Sequence, residues 1–262
     1  MQAATQTVKS VKTKLLHPVL DALGIGFIVA SLLAPPAAAQ DAPPGLVRRV
    51  EERESATARM RSDYAYRQVV TVEDFDRRGL RAGEYKEIRD VIFSPTGERT
   101  ERLIGKPVSA LDHIRLTPED FRDIREVQPM LLTTESAFFY ETRFQGEEDV
   151  DGIRCYVLRI KPRQILDGER LFDGLIWIEP DQFSIVRSEG RAVPEIRTMK
   201  SDNLFPAFRT TRMKVDGYWF PSMTYGDDML AFRTGPQRIR LTIRYSNYQR
   251  FSSNSTIVFD KK

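Results

Sequence analysis

The feature that most constrains the fold is a strict alternation of apolar and polar residues near the end of the chain. Between residues 238 and 250, Ile239, Leu241, Ile243 and Tyr245 are separated by polar side chains. A period of two predicts a β-strand with one buried and one solvated face. Similar runs separated by turn-forming pairs such as Asp-Gly precede it. We expect strands at about 137–145, 151–161, 171–179, 183–192, 208–216, 218–226 and 238–250.

The chain before these strands is expected to form a helix and then a meander. Apolar residues at loosely helical spacing from Leu46 predict a helix to about Arg61. From Tyr64 the period changes to two, which predicts a strand there and further strands at about 84–93 and 98–106. The segment therefore adds antiparallel strands to the same sheet.

A helical insert interrupts the strands. Thr117-Pro118-Glu119-Asp120 predicts a helix start, with threonine as N-cap, proline at the first helical position and acids in the first turn. Pro129 is expected to stop or kink this helix. A short helix between strands is suited to act as a lid or plug on a curved sheet. Between 192 and 208, Pro194, Asn203 and Pro206 mark a longer excursion from the strands.

The first 39 residues are typical of a secretory signal peptide. Lysines at 9, 12 and 14 precede an apolar run from Ala22 to Ala34, and Ala37-Ala38-Ala39 provides a cleavage site. A membrane anchor is the alternative, but about 13 apolar residues are fewer than the roughly 20 that span a bilayer. We predict export to the periplasm, a linker at 40–45, one domain at 46–251 and a C-terminal tail at 252–262.

The charge and the reactive residues favour a binding protein over an enzyme. Removing residues 1–39 takes away three lysines and one aspartate, which lowers the formal net charge from +3 to +1, so a nucleic-acid partner is not expected. Cys155 is the single cysteine, and His113 is the single histidine after residue 39. We interpret His113 as a loop residue and the neighbouring Asp227 and Asp228 as turn residues, and we predict no catalytic residues, metal or cofactor.

The late strands carry the motifs of a known family. Gly174-Leu175-Ile176-Trp177-Ile178-Glu179, Ile185-Val186-Arg187 and Asp216-Gly217-Tyr218-Trp219-Phe220-Pro221, with the signal peptide, first helix and interrupted meander, resemble the LolA/LolB lipoprotein-carrier superfamily and related outer-membrane lipoprotein-sorting proteins. The likeness covers roughly residues 46–251. It implies a mainly β, α+β fold: a single-domain, open, strongly curved antiparallel β-barrel with an N-terminal helix and a helical lid. It also implies an apolar cavity that accepts acyl chains of lipoproteins or lipids.

Aromatic residues of the strands are our candidates for the wall of that cavity. Each also fits an ordinary sheet core. The candidate ligand-binding residues are Trp177, Phe183, Trp219, Phe138 and Tyr140 from the strands, with Phe121 and Ile124 closing the space from the helical insert.

The predicted function is non-enzymatic carriage of acyl chains toward the outer membrane. Its partners would be lipoprotein acyl chains or lipid, inner- and outer-membrane envelope proteins, and transiently the membrane itself. A lipid- or lipoprotein-sensing regulatory domain would have the same fold. An envelope hydrolase would instead need a cleft with converging carboxylates, and an envelope interaction module would have a filled core.

Overall fold

The computed structural model of the protein describes residues 41–93, 98–165, 169–197 and 202–251. The predicted signal peptide and C-terminal tail lie outside the described residues. The helical elements are α1 Leu46–Arg61, α2 Pro118–Arg122, a π-helical turn at Asp123–Val127 and a 3-10 turn at Ala137–Phe139. The strands are β1 Tyr64–Phe75, β2 Arg81–Phe93, β3 Arg99–Leu103, β4 Val108–Ser109, β5 Tyr140–Val150, β6 Ile153–Pro162, β7 Leu171–Ile178, β8 Ile185–Val193, β9 Ile196–Arg197, β10 Asp202–Asn203, β11 Phe208–Val215, β12 Tyr218–Phe232 and β13 Gly235–Arg250.

Most of the strands form one antiparallel sheet. Its order is β3-β2-β1-β13-β12-β11-β8-β7-β6-β5, with β4 also paired to β2, whereas β9 and β10 form a separate ribbon. Within the described residues the outermost strands, β3 and β5, do not pair with each other, so the sheet is open. The sheet is curved, and α1 packs on one face, which we call the inner face. The predicted open, curved antiparallel sheet with an N-terminal helix and a short helical insert is therefore confirmed.

The alternation in the sequence sets which residues reach the inner face. Burial alternates along β1, where Tyr64, Tyr66, Gln68, Val70 and Val72 are buried and the residues between them are partly exposed. The same pattern runs along β13 from residue 239 to residue 245. The two strands pair in register, which places their apolar side chains next to each other.

The β12–β13 hairpin is longer than the sequence indicates. Asp227 and Asp228 lie within β12, so their interpretation as turn residues is wrong. Asp227 accepts hydrogen bonds from Arg238 and Arg240 on the neighbouring strand, at 2.8 and 3.0 Å. These cross-strand ion pairs hold a polar stretch in β-structure that its composition alone would assign to a turn.

The inner face divides into two regions. The packed half is the cluster in which α1 lies on β5–β8, and the cavity half is the cluster on β1, β2, β12 and β13. Buried members of the packed half include Leu46, Val50, Leu132, Leu158, Ile160, Phe172, Ile176 and Ile178. Buried members of the cavity half include Val70, Val72, Ile124, Leu204, Leu230, Ile239, Leu241 and Ile243.

Buried polar side chains lie between the two halves on β11 and β12. Arg212 donates to Glu54 of α1 at 2.8 Å, and both side chains are at most 1% exposed. Arg212 also donates to the Met130 carbonyl at 2.6 Å. Thr210 donates to the Gln128 carbonyl at 3.0 Å. These bonds attach α1 and the end of the helical insert to the middle of the sheet, because each buried charge or hydroxyl needs a partner there.

Candidate ligand-binding cavity

A cavity of about 1270 Å³ opens at one end of the cavity half. It lies between the ends of β1 and the β12–β13 hairpin and two segments that cross over them, residues 112–120 and 202–207. Its volume exceeds the roughly 300–1,000 Å³ of ordinary small-molecule sites. Its apolar lining residues are Val72, Phe75, Ile114, Leu116, Leu204, Phe205, Pro206, Met229, Phe232, Pro236, Ile239 and Leu241.

The first crossing segment, residues 112–120, is fixed to the sheet by a buried carboxylate. Asp74, fully buried at the end of β1, accepts hydrogen bonds from the backbone nitrogens of Asp112 at 3.0 Å and His113 at 2.6 Å. A Cβ atom at Gly83 would lie 2.3 Å from the Ala110 carbonyl oxygen. Glycine at 83 therefore allows the chain leading into this segment to approach β2 closely.

The segment continues into α2 through the predicted N-cap. The Thr117 hydroxyl accepts from the Asp120 backbone, and the Asp120 carboxylate accepts from the Thr117 backbone at 2.7 Å, so the two residues form a capping box. The buried Asn203 side-chain amide donates from Nδ2 to Thr117 Oγ1 at 2.7 Å and to Asp120 Oδ1 at 2.9 Å, and its Oδ1 accepts from Arg170. Asn203 thus joins the start of α2 to the second crossing segment.

The second crossing segment, residues 202–207, is held at both ends. Asp202 accepts from the Arg233 backbone at 2.8 Å and forms an ion pair with its guanidinium at 2.9 Å. The Ala207 nitrogen donates to Asp228 at 3.3 Å. A Cβ atom at Gly226 would lie 2.5 Å from the Ala207 carbonyl oxygen, so only glycine permits this approach to β12.

A buried ion pair lies next to residues that line the cavity, because Arg170 also contacts Asn203. Asp123, in the π-helical turn after α2, lies 3.1 Å from Arg170, and both side chains are almost fully buried. Burial, opposed mainly by Arg170, raises the pKa of Asp123 to about 7. Burial also raises the pKa of Asp120, which lines the cavity. The start of the helical insert is therefore held to the sheet by ionic and polar groups rather than by an apolar core alone.

Two of the predicted ligand-binding residues lie beside this cavity. Ile124 is buried in the cavity half, and Phe121 packs against the same cluster. The Phe121 ring makes an edge contact with Tyr85 at 5.8 Å. Among the described residues that line the cavity, however, neither side chain is included. Phe121 and Ile124 therefore belong to the core beside the cavity, whereas Asp120 of α2 lines the cavity itself.

The two predicted tryptophans lie together on the opposite, outer face. Trp177 is 3% exposed, and Trp219 packs against the same small cluster, which contains Cys155 and Val157. The Trp177 indole donates to Glu148, and Arg187 lies over its ring at 4.1 Å. The residues next to them in sequence, at positions 176, 178 and 220, are fully buried on the inner face. Ligand binding by the tryptophans stays a prediction, at a site separate from the cavity.

The other predicted aromatics are dispersed in or near the packed half. Tyr140 is buried there, accepts from the Phe172 backbone at 3.2 Å, and has a pKa raised by burial. Phe183 packs at the edge of the same cluster beneath Arg49. Phe138 is 77% exposed in the 3-10 turn. The structure brings none of these rings to the cavity, and their part in ligand binding also stays a prediction.

Sequence reasoning missed the second crossing segment and the β1–β2 turn as parts of the site. Pro206 and Asn203 were visible as an excursion from the strands, and both line the cavity. His113 also lines it, with Nδ1 at 3.4 Å from Asp74 and the side chain 38% exposed.

The part of the chain that the structure describes holds no group of three or more metal-ligating side chains. In the same residues, no helix is long and apolar enough to cross a bilayer.

Comparison with known proteins gives structural likenesses at low identity. No family model and no curated protein sequence matches this chain. A DUF1329 family protein from Desulfovibrio piger is similar with a TM-score of 0.35 and 15% identity, over 78% of this chain and 95% of that chain. A putative outer membrane lipoprotein-sorting protein domain from Vibrio parahaemolyticus is similar with a TM-score of 0.33 and 10% identity, over 77% of this chain and 92% of that chain. A LolA superfamily protein from Nitrosomonas europaea is similar with a TM-score of 0.33 and 12% identity, over 76% of this chain and 94% of that chain.

Proposed function

We propose that this protein is a non-enzymatic periplasmic carrier that binds the acyl chain of a lipid or lipoprotein in the cavity. The observation that supports this role is the cavity itself, about 1270 Å³ in volume and with a mainly apolar wall. The neighbouring packed half shows that the same sheet can bury its inner face fully. A space of this size beside a filled core is suited to a ligand.

The apolar wall supplies the binding energy for such a ligand. Val72, Ile239 and Leu241 on the sheet face Leu116 and Leu204 on the crossing segments. Each methylene transferred from water to this environment gains about 0.8 kcal/mol. A chain of about ten methylenes therefore gains about 8 kcal/mol, which corresponds to micromolar affinity without any specific polar contact.

The crossing segments provide a route for loading and release. Their anchors are polar bonds from Asp74, Asp202 and Asn203, and few of their side chains are fully buried. Segments of this kind open at lower free-energy cost than core strands do. Among the described residues that line the cavity, Thr117 and Thr234 carry hydroxyl groups and there is no serine or cysteine. The Thr117 hydroxyl is occupied by its capping box and by Asn203. These features support binding and release without a covalent acyl-enzyme step.

Displacement of a fluorescent fatty-acyl probe tests the proposal. We expect saturable binding with one probe per chain. Ile114→Asp places a carboxylate in the cavity wall and should weaken binding by about tenfold or more, the equivalent of about two lost methylene contacts. Ile165→Asp is the matched control, because Ile165 is 59% exposed and lies away from the cavity. Equal loss in both variants, or no binding by the parent protein, would contradict the proposal.

Lipid extraction of protein purified from its own periplasm provides an independent test. Native mass spectrometry should show co-purifying acyl lipid or lipopeptide, and the Ile114→Asp variant should carry less of it. An empty parent protein would favour the interaction module over the carrier. Time-dependent release of free fatty acid from a bound ester would identify a hydrolase instead, and a loss of that release in His113→Gln would assign it to the cavity.

A further inference from the structure

Not every charged residue that lines the cavity has an oppositely charged partner. Four arginines line it, and two of them have carboxylate partners: Arg78 pairs with Asp76 at 3.2 Å, and Arg238 pairs with Asp227 at 2.8 Å. The other two, Arg77 and Arg115, are exposed and have no ion-pair or hydrogen-bond partner among the described residues. The opening of the cavity thus carries two unneutralised guanidinium groups.

The carboxylate nearest in sequence to Arg77 is that of Asp76, which is already hydrogen-bonded within the β1–β2 turn. Asp76 accepts from the backbone nitrogens of Arg78 and Leu80, each at 2.9 Å, in addition to the Arg78 side chain. The Leu80 backbone bond is the main cause of a lowered pKa for Asp76, followed by its other bonds to Arg78. Asp76 therefore shapes the β1–β2 turn and leaves the Arg77 side chain unpaired.

Arg115 lies two residues after the backbone bonds that fix the first crossing segment. The acceptor of those bonds is Asp74, which is fully buried and also lies 3.4 Å from His113 Nδ1. Besides Asp76, the carboxylates that line the cavity are those of Asp120 and Asp202, and they are engaged as well. Asp202 pairs with Arg233, and Asp120 accepts from Thr117 and Asn203. None of these acids is therefore available to neutralise Arg115.

We infer that the ligand is an acidic amphiphile, with its acyl chain in the cavity and an oxyanion head beside Arg77 and Arg115. This inference rests on the proposed function, and it adds the chemical class of the head group. Arginine presents a planar fork of donors that fits carboxylate and phosphate oxygens in pairs. An apolar pocket beside two cations selects a molecule with both parts, whereas an uncharged ester satisfies only the pocket. The shared chemistry is an oxyanion on an acyl chain, present in fatty acids and in acidic phospholipids.

The test compares ligands that differ only in the head group. Palmitic acid should displace the fluorescent probe about tenfold more strongly than hexadecanol, since two exposed ion pairs together contribute about this factor. Phosphatidylglycerol and phosphatidylcholine form the second pair: both carry a phosphate, but only phosphatidylglycerol has a net negative head group. A preference for phosphatidylglycerol over phosphatidylcholine would indicate an acidic phospholipid, whereas a preference seen only between palmitic acid and hexadecanol would indicate a fatty acid. The preference should decrease in high salt, which screens exposed charges.

Arg77→Gln with Arg115→Gln should remove the preference for palmitic acid over hexadecanol. The control is Arg48→Gln with Arg59→Gln, which removes the same charge from exposed positions on α1. Thermal unfolding of both double variants checks that the fold is retained. Equal affinity of the parent protein for acid and alcohol would overturn the inference and leave the carrier proposal intact. Absence of binding by any acyl ligand would overturn both.

Discussion

The packed half and the cavity half share one sheet, yet one is filled and the other encloses a space. In the packed half a regular helix, α1, covers the strands and contributes Leu46 and Val50 to the core. In the cavity half the cover consists of two irregular segments held by polar anchors such as Asp74 and Asn203. A helix presents a continuous apolar stripe along one side and satisfies its own backbone hydrogen bonds. An irregular segment must instead find hydrogen-bond partners for its backbone N–H and C=O groups. The cover, rather than the sheet, decides where a cavity forms.

The largest effect is expected at the polar boundary between the halves. Arg212→Ala leaves Glu54 buried without its partner, and we expect a loss of about 3–5 kcal/mol in the free energy of unfolding. Urea denaturation measures this loss. Arg209→Ala on the same strand is the control, because the Arg209 side chain is 52% exposed and its pair with Glu189 should contribute less than about 1 kcal/mol. Similar losses in the two variants would show that the buried pair is not essential at the boundary.

Matched leucine truncations compare the two halves directly. Leu158→Ala in the packed half should cost about 3–4 kcal/mol, because the fully enclosed site leaves a new void. Leu204→Ala in the wall of the cavity should cost about 1–2 kcal/mol less, since one side of Leu204 already faces open space. Urea denaturation of both variants gives the comparison. Equal costs would mean that the cavity collapses around its wall in solution.

The pH dependence of the unfolding free energy should reflect the titration of the buried Asp123 carboxylate. The folded-state pKa of Asp123 is about 7, above its ordinary value of 3.8, so the folded protein binds more protons between these values. The corresponding stability is fully present below about pH 4 and is lost as the pH rises through about 7. Asp123→Asn should therefore reduce the decrease in unfolding free energy between about pH 5 and about pH 8.

Asp227→Asn is the control for this pH effect. Hydrogen bonds from Arg238, followed by those from Arg240, lower the pKa of Asp227 to about 2. The stability from that carboxylate is present above its ordinary value of 3.8 and is lost as the pH falls toward 2. Its replacement should leave the interval between about pH 5 and about pH 8 unaffected. An unchanged pH profile in Asp123→Asn would exclude Asp123 as the titrating group.

The smallest expected effect concerns the tryptophans of the outer face. If the ligand occupies the cavity, Trp177→Ala should change probe affinity by less than about twofold, because the contacts that are lost lie on the far side of the sheet. Trp219→Ala should behave in the same way. Probe titration of both variants, with thermal unfolding to confirm folding, measures the effect. A large loss in either one would place the ligand at the outer cluster and support the binding role predicted from the sequence.

The elements were more predictable than the site. The alternation from Ile239 to Tyr245 is a local property, so the strand and its buried face could be predicted from it. The N-cap at Thr117 was equally local and formed as expected. The cavity depends instead on contacts between residues far apart in sequence, such as Asn203 with Asp120 and Ala207 with Asp228. No pattern within one strand or helix encodes such contacts.

By itself, the sequence determined the antiparallel strands, the first helix and the position of the helical insert, because periodicity and capping act over a few residues. It also determined that residues 176 and 177 face opposite sides of the sheet. Only the tertiary structure decided which side carries α1, and so placed Trp177 on the outer face. The tertiary structure likewise brought the crossing segments over the end of β1, through close approaches at Gly83 and Gly226. These outcomes depend on how separate segments pack, and packing is decided by the whole chain at once.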